Sequence, residues 1–443
     1  MEYPKILNPR NLTAENVHGE VVQIGEITNY KPSAAKYSDG SLVLFTVHWH
    51  IEPGLSGGRK VWHSVMYRSF DDGKSWSVGK HMPFVGHEPS AFVIDDVLFV
   101  HTHVFHFDAG FYVTLMIYRS EDHGETWNSF EISSELLTDG ADRKISVAPA
   151  RTIFQLTSGE LLWFVIYKHK EYRVSSTDLG LHWKFREMKP SDPAIQLYNA
   201  HNSGTVSCEA VTFYSSSDRL LKLGRIEWQD FGGCNIPYAI KLDRYYGSDE
   251  GDGLILMESF DEGYTWKILR GVGISGMMYP SVHVLDEHRF ILQYTMRIVP
   301  SEVSGYPYRH MGVHAIIVTE NADGTFDIDF DHDLLIIDDR TPDYSTQGGG
   351  YGMIVPLADG TLLSPYSYRE LIPQLSDDIL NKRWKNREYL EYFWHRVGKS
   401  QTTWESWCKL SEIDQFNIFM DDALETREAM FLSQVLRWKL DVK

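Results

Sequence analysis

The chain has 443 residues, a formal net charge of −19, 43% hydrophobic and 13% aromatic residues. That apolar content supports a large core and excludes general disorder, while the charge argues against nucleic acid and anionic membranes as partners. Three scattered cysteines, Cys208, Cys234 and Cys408, give neither a disulfide framework nor a thiolate metal site.

At the N-terminus, Met1-Glu2-Tyr3-Pro4-Lys5 lacks the basic and apolar regions of a signal peptide. Nowhere does an apolar run approach the ~18 residues of a transmembrane helix. A cytoplasmic protein is expected, with a secreted mature form as the alternative. Residues 1–24 are expected to close onto the domain that follows.

From residue 25 the chain repeats. Segments opening as x-Pro-Ser or a variant begin at Lys31, Glu88, Ala150, Glu209, Tyr279 and Tyr351, at intervals of 57, 62, 59, 70 and 72 residues. Each interval holds four short apolar strands, the content of one propeller blade. The first four also carry a turn of the form Ser-x-Asp-x-Gly-x-x-Trp, at Ser69–Trp76, Ser120–Trp127, Ser176–Trp183 and Ser259–Trp266. Asp and Ser can bond the turn's own backbone, Gly accepts a positive φ, and Trp packs between sheets. The fifth interval keeps a degraded copy, Thr319-Glu320-Asn321-Ala322-Asp323-Gly324, and the sixth has none. An all-β, six-bladed β-propeller over residues 25–371 is therefore expected. Beyond it, Asp377–Trp394 and Asp421–Leu440 space their apolar residues three and four apart. This predicts a helical C-terminal extension over 372–443, a surface on which homo-oligomers could form.

In a propeller the first strand of every blade lines the central channel. Lys31, Glu88, Ala150, Glu209, Tyr279 and Tyr351 should then form a ring of two carboxylates, two phenols and a cation. The following strands end in a second set: His48 and His50, the His101/His103/His106 series, Lys168, Arg225, Arg297 and Arg369. Cations facing a channel suit a carboxylate-bearing ligand, because a guanidinium offers a planar fork. His101 and His103 share a strand face and could meet a metal together with His87, Glu88 or His201, but no recognised metal motif is present. Gly247–Gly253 lacks the ligand spacing of a calcium loop and reads as a solvated turn. No cofactor and no metal are expected.

The turn motif, the blade count and two further segments resemble the sialidase (neuraminidase) family, in which such turns are called Asp-boxes or BNR repeats. Glu209-Ala210-Val211 leading to Arg225 is similar to a family segment where a Glu opens a strand and an Arg closes the next. Tyr351-Gly352-Met353-Ile354-Val355-Pro356 is similar to the final-blade segment bearing the family's tyrosine nucleophile. The resemblance implies that Tyr351 attacks the anomeric carbon and that Glu209 takes its proton. A phenol with a pKa near ~10 needs such a base, and sialidases depart from other glycosidases in using one. It further implies that Arg225 binds a substrate carboxylate, with Arg297 as a second arginine. Lys31 stands where the family has its first arginine. The first-blade loop from His48 to Trp62 has no Asp, leaving His48, His50 and Glu52 for proton transfer. Glu88, His103, Tyr279 and Arg369 complete the expected substrate contacts.

The leading expectation is an exo-acting glycoside hydrolase with an acidic terminal sugar or glycan as partner. Two others stand beside it. One is a lyase that cleaves uronic-acid glycans with His and Tyr as base and acid; the other is a noncatalytic carbohydrate- or protein-binding propeller.

Overall fold

A computed structural model of the chain describes residues 15–16, 19–25, 29–52, 59–106, 112–137, 147–167, 170–188, 209–215, 218–227, 252–269, 277–296, 312–329, 334–338, 349–371, 406, 408–411 and 429–440. These form six sheets, one for each repeat, and the molecule is an all-β, six-bladed propeller. The blade-opening strands are Asn29–Lys36, His87–Ile94, Val147–Pro149, Val211–Tyr214, Met277–Val284 and Val355–Pro356. Each lies at one edge of its sheet, paired antiparallel with the strand that follows it, except that Val147–Pro149 pairs with Leu161–Tyr167 past the short strand Phe154–Gln155.

The C-terminal expectation is corrected. Ala429–Trp438, inside the stretch read as helical, is a ten-residue strand. It pairs along its whole length with Leu362–Leu371 on one side, and over Ser433–Trp438 with Gly19–Ile24 on the other. The sixth blade is thus built from both ends of the sequence. The helical reading failed because this strand is covered on both faces. Val435 packs into the cluster shared with the first blade, while Leu436 and Trp438 pack into the cluster shared with the fifth. A strand buried on both sides loses its two-residue alternation, and its apolar run then mimics helical spacing. Asp377–Trp394 lies outside the described residues. Ser134–Leu137 is a single helical turn.

The core lies between blades rather than within them. Phe45 and Met66 of the first blade meet Leu98, Val100 and Tyr118 of the second, and Leu223 and Leu256 of the fourth meet Leu292 and Ile316 of the fifth. The four Ser-x-Asp-x-Gly turns share one hydrogen-bond pattern. The Ser hydroxyl donates to Asp and accepts the Gly N–H, and the Asp accepts the N–H four residues on, all at 2.8–2.9 Å. The residue before each glycine is also left-handed: Asp72, His123, Leu179 and Glu262 have φ between 53° and 58°. Two consecutive positive φ values are what a tight, twist-matched hairpin turn requires.

The x-Pro-Ser signature has its own role. The Ser33 hydroxyl accepts the Ala91 N–H of the next blade at 3.0 Å, Thr152 accepts that of Thr212 at 3.0 Å, and Ser281 accepts that of Ile354 at 2.7 Å. These bonds satisfy buried backbone donors where blade meets blade, and they set the blade-opening residues around a common axis.

Candidate active site

The blade-opening residues are held in a sparsely populated backbone region. Lys31, Glu88, Glu209 and Tyr279 have φ of 55°, 55°, 52° and 51°. At Lys31, Glu88 and Tyr279 the pairing with the next strand slips, between Tyr30 and Ser33, His87 and Ser90, and Met278 and Ser281. A bulge of this kind re-aims a side chain out of the ladder. Each non-glycine residue held left-handed costs ~1–2 kcal/mol, strain that collects at functional sites.

Four of the six marker residues, Lys31, Glu88, Glu209 and Tyr351, line one pocket together with Pro89, Ser90, His101, His103, Pro149 and Arg151. It is a small, partly open polar depression rather than a deep cavity. Tyr279 is not in the lining but packs against it, its ring centroid 4.6 Å from that of Tyr351. Ala150 is fully buried and contributes no side chain to the lining. The lining thus draws on blades one, two, three, four and six.

Charge in the pocket is largely paired. Arg225 Nη1 donates to Glu209 Oε2 at 2.8 Å, and the Lys31 ammonium pairs with the Glu88 carboxylate. Lys31 Nζ also lies 4.9 Å from the centre of the Tyr351 ring. Burial alone would raise the Glu88 carboxyl, but Lys31, His103 and His87 outweigh it and hold it well below the usual carboxylate range. Burial pushes His103 below the ordinary imidazole value despite the Glu88 charge beside it. It therefore enters neutral solution as an uncharged ring, able to accept a proton. His101 lies beneath, 1% exposed, with Nε2 donating to the Arg151 carbonyl at 2.9 Å. Ligand atoms of His87, Glu88 and His103 lie within 4.8 Å of one another. Two imidazoles and a carboxylate could hold a divalent ion, although here Lys31 already bonds the carboxylate.

Among solved structures, a protein of unknown function from Dyadobacter fermentans matches with a TM-score of 0.54 and 18% identity, over 80% of this chain and 95% of that one. At this identity the likeness shows a shared fold. The NanB sialidase of Streptococcus pneumoniae matches with a TM-score of 0.48 and 12% identity, over 78% of this chain and 66% of that one. The α-L-arabinofuranosidase Arb93A of Fusarium graminearum matches with a TM-score of 0.48 and 15% identity, over 80% and 94% of the two chains. No protein-family model matches the chain, and no curated protein matches it by sequence.

Other expected residues fall elsewhere on the propeller. His48 bonds Asn29 through Nδ1 at 2.9 Å and is not part of the pocket lining. His106 bonds the Thr114 hydroxyl at 2.9 Å. His50 and Glu52 lie on the strand Leu42–Glu52 and Arg369 on Leu362–Leu371, with side chains outside the described residues. Arg297, Lys168 and His201 are outside them altogether. Arg151 is the pocket residue that sequence reasoning missed. A signal was present: counted from the hydroxyl residue at Thr152, Arg151 stands in the slot that Pro32, Pro89 and Pro280 fill in other blades.

Proposed function

We propose that this propeller is a glycoside hydrolase that releases a terminal, carboxylate-bearing sugar, with Tyr351 as nucleophile and Glu209 as its base. The observation that carries the reading is the convergence of Tyr351 and Glu209 in one pocket whose wall also holds Lys31 and Arg151. In the proposed reaction the Tyr351 hydroxyl yields its proton to Glu209 as its oxygen bonds the anomeric carbon. The glycosidic C–O bond breaks, and water later releases the sugar from tyrosine. Arg225 fixes the orientation of the Glu209 carboxylate. A neutral phenol approaches an anionic sugar without the repulsion that a carboxylate nucleophile would meet. The leaving oxygen needs a proton, and His50 and Glu52 are the proposed donors, since His103 is kept neutral.

The test is a screen of acidic and neutral aryl glycosides with wild type and Tyr351→Phe. Wild type should release an acidic sugar, and the variant should lose ~10³-fold or more in kcat while keeping its melting temperature. Equal turnover by Tyr351→Phe would sink the mechanism.

One observation favours a second reading. A buried, neutral His103 beside Glu88 and near two cations is also the equipment of a uronate lyase, in which His103 would abstract the proton next to the carboxylate. An unsaturated product absorbing in the ultraviolet would decide for it.

A further inference from the structure

We infer that Arg151 is the anchor for the substrate carboxylate and sets the preference for acidic over neutral sugars; this rests on the glycosidase reading above. Lys31 and Arg225 each already face a pocket carboxylate, Glu88 and Glu209. Arg151 is 9% exposed and lines the same pocket, yet among the described residues nothing accepts a hydrogen bond or forms an ion pair with its guanidinium. Its five N–H donors are not sealed from solvent but open into the pocket, where a ligand can reach them. Among the described residues, Lys31 and Arg225 are thus matched within the protein, and the charge of Arg151 is left for an anion.

The geometry also selects the shape of that anion. The Arg151 guanidinium lies over the Tyr279 ring, with Cζ 4.8 Å from the ring centre. Its main chain is pinned on both sides, the N–H donating to the Ala210 carbonyl at 2.8 Å and the carbonyl accepting from His101 at 2.9 Å. A guanidinium so placed offers a planar fork of donors, which a carboxylate matches with two oxygens and a sugar hydroxyl does not. The slot reinforces the point. Proline fills it in three other blades, so the turn itself does not call for arginine.

The experiment uses the full chain as wild type, Arg151→Met and Arg151→Lys. Calorimetric titrations with glucuronic acid, N-acetylneuraminic acid, glucose and inorganic sulfate are paired with thermal melts. Wild type should bind an acidic sugar and not glucose; Arg151→Met should bind it at least ~10-fold more weakly, and Arg151→Lys should recover part of the loss. Without sugar, Arg151→Met should melt no lower than wild type, because no side-chain hydrogen bond or ion pair is lost with the guanidinium. A purely structural arginine would shift the melt downward, and that result would overturn the inference. So would undiminished binding of acidic sugar by Arg151→Met, or binding of sulfate alone by wild type. If wild type binds neither acidic sugar nor sulfate, the glycosidase reading itself falls.

Discussion

His101 shows how one buried side chain can set the acid limit of the molecule. Its ring is 1% exposed, 4.8 Å from the Trp163 ring, and burial drives its pKa from 6.5 down to about 3. Between those values the unfolded chain binds a proton that the folded chain refuses. The contribution is therefore complete above about pH 6.5 and is lost as pH falls toward about 3, at up to ~1.4 kcal/mol per pH unit. Glu88 acts in the same direction at lower pH. Its folded pKa lies below the unfolded one, so its contribution holds above ~4.3 and disappears as pH falls through the folded value. Urea unfolding at about pH 7.5 and about pH 5.5 should show a marked loss of stability in wild type. His101→Gln, which keeps a donor for the Arg151 carbonyl, should flatten that dependence by close to one proton. An unchanged slope would place the acid sensitivity elsewhere.

The blade-to-blade joints were partly readable in the sequence, and the unread part has a single cause. The four Ser-x-Asp-x-Gly turns declare themselves because glycine, serine and aspartate are the residues the geometry demands. What the motif does not say is which surface each turn meets. Gly180 approaches Phe99 of the preceding blade, and an added Cβ there would lie 2.5 Å from Cε1. Across the same joint Arg119 donates to the Leu179 carbonyl at 2.7 Å, as Arg173 does to Glu262 at 3.3 Å and Arg437 to Asp72 at 3.0 Å. These arginines precede or face the turns without any local pattern to mark them. Gly159 makes the matched control: its φ of +85° is close to the +81° of Gly180, yet nothing lies within 4 Å of its Cβ position. Gly159→Ala should cost only the left-handed penalty of ~1–2 kcal/mol. Gly180→Ala should add an overpacking cost of ~1–3 kcal/mol, read as a lower urea midpoint at unchanged slope. Equal effects would mean that Phe99 yields freely.

At the scale of the whole molecule, the repeats revealed the number of blades but not how the ring is closed. Closure depends on residues more than 400 apart in sequence, Gly19–Ile24 and Ala429–Trp438, and no local pattern records such a pairing. The pocket was legible for a related reason in reverse. Lys31, Glu88, Glu209 and Tyr351 occupy equivalent places in the first, second, fourth and sixth repeats, so counting blades was enough to bring them together. Arg151 broke the repeat and was passed over. The closing strand also leads to a test of cooperativity. Val435 is fully buried, Leu436 is 3% exposed and Trp438 is 2% exposed, with Trp438 Nε1 donating to the Ser364 hydroxyl at 2.9 Å. Trp438→Ala alone should cost ~3–5 kcal/mol. A chain ending at residue 428 would leave Leu362–Leu371 as an open ten-residue edge and take the only partner of Gly19–Ile24 within the described sheet. An open edge of that length is also a template for aggregation. Such a chain should lose its cooperative thermal transition and associate, and a peptide spanning residues 429–440 supplied in trans should restore part of the transition. A truncated chain that melts like wild type would mean that five blades and half of the sixth suffice, and that the terminal strands decorate the ring rather than close it.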